Sequence, residues 1–170
     1  MNKPSKATES SVALEPPRIA HAAALRIVGL RGEYTSETRG EIPLLWQRFA
    51  PHIGRTPGQV GSVAYGVCFC GPEYHGFGYL VGVELEEGAA LPAGWGEARL
   101  PASRYAVFAH REHVSRLPET LDAIHRWLPT SGLQPAPAGP GAAVFFERYG
   151  EEFCPETGRG GMEVWFPLAG

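Results

Sequence analysis

Most of what this chain can fold into is constrained by a repeat. "LRIVGLRGEY" (25–34), rich in branched apolar residues, reads as a strand. Ile42, Leu45, Phe49 and Ile53 follow at helical spacing, and then two strand-like runs, "VAYGVCFC" (63–70) and "FGYLVGVEL" (77–85), joined by "GPEYHG" with the signature of a hairpin. The second half repeats this order. "RYAVFAHREH" (104–113) is a strand, and Leu117, Leu121, Ile124 and Leu128 form a helical stripe stopped by Pro129 and Gly132. "AAVFFERY" (142–149) and "MEVWFPL" (162–168) are two more strands. Val28 and Val107, Glu33 and Glu112, Ile42 and Leu121, Leu45 and Ile124, and Phe49 and Leu128 are each 79 positions apart. The chain therefore reads as a duplicated strand–helix–strand–strand unit, with "WGEARLP" (95–101) as a further strand between the halves. Thr38 and Glu41 have the spacing of a capping box, and Pro43 fits only near a helix start. The fold class is α+β: βαββ units forming a curved antiparallel sheet, with two helices on one face and a ligand groove on the other.

A length of 170 residues suits one domain with a proper core. Residues 1–18 lack the apolar segment of a secretory signal and read as a flexible tail, leaving 19–170 as the single domain. Apolar runs fall far short of the ~20 residues of a membrane span. A net charge of −3 gives no general attraction to nucleic acid. Cys68 and Cys70 lie two apart on one strand face, a poor geometry for a disulfide; with Cys154 they fit a reducing, cytoplasmic setting.

The face opposite the helices is where the chemistry is expected. Tyr65, Tyr79, Phe145, Tyr149 and Trp165 are too many large aromatics for a solvated sheet, and they predict an aromatic groove. Met162, Val164 and Phe166 should pack on the helices, which places Glu163 with Trp165 in that groove. A glutamate held among rings favours a cation as its partner. Glu147 shares the parity of Phe145 and Tyr149 and is a second groove carboxylate or a rim residue. Glu84 is assigned to solvent, Trp46 and Trp127 to packing, and Cys68 and Cys70 to apolar filling. His110 and His113 point to opposite strand faces, so no metal site is assigned. Neither glycine-rich run precedes a helix as a phosphate loop does, no nucleophilic triad is recognisable, and no cofactor is implied.

Taken together, "IPLLWQRFAPHIG", "YGVC", "YLVGVE", "LPASRYAVFAHREHV", "ETLDAIHRWLPTSGL" and "FERYGEEFCPETGRGGMEVWFPL" resemble the GyrI-like small-molecule-binding domain, also the effector-binding domain of multidrug-responsive AraC-type and MerR-type transcription activators. The resemblance covers residues 19–168. It implies two βαββ repeats around a groove, ligands that are bulky, lipophilic and often cationic, and an acidic residue of the last strand, here Glu163, as the groove's negative charge. The loose first residues leave no room for a helix-turn-helix, so the expectation is a stand-alone binding protein without direct nucleic-acid contact. The alternative the resemblance offers is a hydrolase of cyclopropane-bearing toxins, with Glu163 as its catalytic base and a tyrosine hydroxyl from Tyr65, Tyr79 or Tyr149. A third is a protein-interaction role such as gyrase inhibition. Homodimerisation is left open.

Overall fold

A computed structural model describes residues 13–170. Eight strands form one antiparallel sheet: β1 (Arg18–Ala22), β2 (Leu25–Tyr34), β3 (Gln59–Cys70), β4 (Phe77–Leu85), β5 (Gly96–Leu100), β6 (Ser103–His110), β7 (Ala143–Tyr149) and β8 (Met162–Leu168). Their order across the sheet is β1-β6-β8-β7-β3-β4-β2-β5. Two helices, α1 (Ile42–Phe49) and α2 (Leu117–Trp127), follow β2 and β6. This is the expected duplication, β2-α1-β3-β4 and β6-α2-β7-β8, joined through the central pair β3–β7.

Each repeat buries its helix against its own half of the sheet. Leu45 and Phe49 of α1 pack with Tyr79, Val81 and Val83; Leu117 and Ile124 of α2 pack with Phe108, Val164 and Phe166. Both helices are short, carry proline in the first turn, and are extended at each end by a 3-10 turn. The capping box does not form. A 3-10 turn over Arg39–Glu41 separates Thr38 from α1, and the Thr38 hydroxyl instead accepts the backbone N–H of Thr35 at 2.8 Å.

Two points of the repeat differ from the sequence reading. The 79-residue spacing holds for the helices but not for the first strands. Val28 pairs with Val83 on the helix face, whereas Val107 lies with Ile27 on the other face. The strands therefore match with Ile27 against Val107, because slipping a strand by one residue exchanges its faces. The second difference is β1. The sequence reads residues 13–18 as part of a tail, yet Arg18 opens a strand on β6, Leu14 packs at the edge of the α2-side core, and Glu15 pairs with Arg111 at 2.7 Å. The tail reading for residues 1–12 lies outside the described residues. β1 is the counterpart of β5: each precedes one repeat and pairs with the first strand of the other.

The far face is filled, not open. Ile27, Tyr65, Val67, Phe69, Leu80, Ala98, Leu100, Tyr105, Val107 and Phe146 form a buried cluster without any helical residue. A sheet buries a helix-free face only by curling over it, and β1 and β5 supply its margins. Its aromatics serve as filler: Phe146 meets Tyr65 and Tyr105 edge-on and stacks on Trp165 at 5.3 Å between centroids.

Candidate functional site

The sequence candidates divide between the two faces. Tyr65, Glu163 and Trp165 lie on the curled far face, whereas Tyr79, Phe145, Glu147 and Tyr149 lie under the helices. The candidates expected to share one face therefore sit on two. In β8 the alternation puts Met162, Val164 and Phe166 on the helix side, as expected, whereas β4 and β7 are buried on both faces and carry no mark of which parity meets the helices.

Glu163, expected to await a cation, already has one. Arg18 of β1 donates to its Oε2, the Trp165 indole donates to Oε1 at 3.3 Å, and Arg148 lies 3.9 Å away. The Arg18 guanidinium also stands over the Trp165 ring, 5.6 Å from its centroid. Burial pushes the Glu163 carboxyl up, but Arg18, Trp165 and Arg148 outweigh it and hold the group below the ordinary glutamate value.

Glu147 is the opposite case. It is 4% exposed, in the central strand β7, directly across from Gly66 of β3, where the two repeats meet. Tyr79 of β4 and Tyr149 of β7 donate their hydroxyls to Glu147 Oε1 at 2.6 and 2.7 Å. The Trp46 indole N–H of α1 donates to the Tyr79 oxygen at 3.2 Å, and the Trp46 ring packs edge-on against Tyr149, 4.7 Å between centroids. Among the described residues no side chain donates to Oε2 and no arginine, lysine or histidine pairs with this carboxylate, and Oε2 is not a fully buried unpartnered atom, a class that holds only Arg104 Nε there. Burial pushes Glu147 up to about 7, and the two tyrosine hydrogen bonds offset only part of that. The tyrosines themselves are raised well above the ordinary phenol value, by burial and then by the glutamate's charge, so both remain donors. Cys68, beside Phe145 and Tyr79 in the ladders, is pushed up to about 12 by burial and next by Glu147.

Sequence reasoning missed three parts of this cluster. Trp46 was assigned to packing, Cys68 to filling, and Gly66 to nothing. A Cβ on Gly66 would lie 2.1 Å from the Tyr79 hydroxyl and 2.9 Å from Glu147 Oε1, so glycine is what lets Tyr79 reach the carboxylate. The available signal was Trp46 itself: a half-buried indole on the margin of a helical stripe needs an acceptor for its N–H. Both histidines of the His110–His113 pair are held by protein partners. His110 is buried, with Nε2 donating to the His113 carbonyl at 2.9 Å, which leaves Nδ1 to accept from Thr120 at 2.7 Å. Open hollows lie elsewhere: one of about 580 Å³ beside Tyr34, His75 and Phe77, and one of about 300 Å³ beside His125 and Leu133. Neither is lined by Glu147.

Two βαββ repeats dock here with a buried carboxylate and its aromatic neighbours at their junction. The chain belongs to the family described as the GyrI-like small molecule binding domain, whose model matches residues 15–169. It is 35% identical over 141 residues to the transcriptional regulator BrlR of Pseudomonas aeruginosa (strain PAO1), covering 80% of this chain and 48% of that protein. The chain thus spans about half the length of this curated relative. SAV2435 bound to tetraphenylphosphonium superposes with a TM-score of 0.72 at 20% identity, covering 92% of this chain and 95% of that one. The EcmrR C-terminal domain superposes with a TM-score of 0.64 at 10% identity, covering 93% and 99%. No helix among the described residues is long and apolar enough to cross a membrane.

Proposed function

We propose that this chain captures lipophilic, aromatic monocations, with Glu147 as the counter-charge and Trp46, Tyr79, Phe145 and Tyr149 as the walls. The observation that carries the reading is a buried carboxylate with one oxygen doubly hydrogen-bonded, the other free, and no cation of its own. An ionised carboxylate in such a place costs several kcal/mol, and a soft, weakly hydrated cation removes that cost without a large desolvation penalty of its own. Each well-placed ring adds ~0.5–2 kcal/mol through its quadrupole. Ligand access requires Trp46 to leave Tyr149 and the Tyr79 hydroxyl, so α1 moves when the site opens. The tetraphenylphosphonium on SAV2435 supports this ligand class by analogy of fold.

Tetraphenylphosphonium and neutral triphenylphosphine oxide, added separately in a thermal-shift titration, test the reading. The cation should raise the stability of the fold by about 2.7 kcal/mol at a hundredfold excess over its Kd, with a much weaker response to the oxide. Equal responses would refute charge recognition, and no response to any lipophilic cation would refute the function. A second reading rests on the free Oε2, which is placed to orient a water for attack on an electrophilic ligand, with Tyr79 or Tyr149 stabilising developing charge. Product in excess of protein, lost in Glu147→Gln, would favour that hydrolase. Glu163, already paired, is the poorer base.

A further inference from the structure

The asymmetry of Glu147 has a consequence for how a cation binds, one that rests on the capture reading above. Both tyrosine hydroxyls converge on Oε1. The Trp46 indole N–H in turn donates to the Tyr79 oxygen at 3.2 Å. The groups facing the carboxylate from each packed element are Tyr79 from β4, Cys68 from β3, Tyr149 from its own strand and the Trp46 indole from α1. None of these carries a positive charge, and the thiol and phenols stay protonated at neutral pH. Only a proton or an incoming cation neutralises Oε2.

We propose that capture is an exchange: Glu147 holds a proton on Oε2 while the site is closed, and a lipophilic monocation arriving beside Oε2 displaces that proton to solvent, one for one. The balance is complete. The O–H bond of the carboxyl breaks heterolytically, the electron pair stays on Oε2, the proton passes to buffer, and the charge of the closed site is conserved by the cation. A neutral ligand filling the same walls releases nothing. In the closed arrangement Trp46 holds the Tyr79 hydroxyl, and Tyr79 and Tyr149 both donate to Oε1, which leaves Oε2 for the exchange. Cation affinity therefore rises about tenfold per pH unit below about pH 7 and levels off above it.

Isothermal titration of the whole chain with tetraphenylphosphonium, at about pH 6 in two buffers of different ionisation enthalpy, counts the protons. The expected result is close to one proton released per cation, falling towards zero near pH 8, with none released by triphenylphosphine oxide. An infrared difference spectrum gives a second readout. Cation binding should remove a protonated-carboxyl band that Glu147→Gln lacks from the start. Cation binding with no proton release and a flat pH dependence would overturn the exchange and leave capture intact. No cation binding at either pH would overturn capture itself, and the exchange with it.

Discussion

Glu147 ties stability to pH through a simple linkage. Its carboxyl titrates near 4.5 when unfolded and at about 7 in the fold, so between these values the folded chain keeps a proton that the unfolded chain has lost. Stability from this residue is full below about pH 4.5 and is lost as pH rises through about 7, by about 3 kcal/mol in all. Glu147→Gln should therefore be more stable than wild type at pH 8 by on the order of 1–3 kcal/mol in urea denaturation, with the gap closing towards pH 5. A wild-type advantage at pH 8 would contradict this. His110 acts with the opposite sign. Burial lowers its folded pKa below 6.5, so its contribution is present at higher pH and is lost as pH falls below that value. Glu163 is partly exposed and salt-paired, and Glu163→Gln should cost no more than about 1 kcal/mol. The carboxylates were both legible as candidates from strand parity. Which of them was already neutralised was not, because Glu163's partner, Arg18, lies 145 residues away on a strand too short and too polar to announce itself.

At the scale of elements, the close contacts of the central strands are the sensitive points. Gly66→Ala places a methyl group against the Tyr79 hydroxyl. It should destabilise the fold by about 1–3 kcal/mol and weaken cation binding at least tenfold, because Tyr79 and Trp46 lose their register. Retained affinity would show that the tyrosine pair does not shape the site. Gly29 and Gly82 face each other across β2 and β4, and a Cβ on Gly29 would meet the Val81 carbonyl oxygen at 1.8 Å. Gly29→Ala must push backbone aside, so its cost should exceed that of Gly66→Ala, whose clash is with a side chain. Denaturation midpoints of the two variants decide the order. The strands β2, β4 and β8 coincide with the runs read from sequence, since turn residues bracket each of them. Face assignment was the illegible part. Phe145 and Phe146 are adjacent apolar residues buried on opposite faces, and a strand apolar on both sides carries no alternation to read.

For the whole molecule, the exchange of β1 and β5 between repeats makes the duplication one cooperative unit. β1 completes the edge of the second repeat and β5 that of the first, so neither half owns a finished sheet. Far-ultraviolet circular dichroism and tryptophan fluorescence should report a single coincident unfolding transition. Two separated transitions would mean that the repeats fold independently. The duplication, and the family it belongs to, were readable because helical stripes and strand runs recur in order. The Glu147 cluster was not, because it assembles from β3, β4, β7 and α1 and exists only once the repeats dock. We propose that Glu147, and not Glu163, is the charge a ligand meets. The most direct measurement is tetraphenylphosphonium binding to wild type, Glu147→Gln and Glu163→Gln by calorimetry at pH 8, where Glu147 is ionised. The prediction is loss of binding in Glu147→Gln alone, with Glu163→Gln within a few-fold of wild type. Loss in Glu163→Gln with binding retained in Glu147→Gln would contradict it and return the site to the far face.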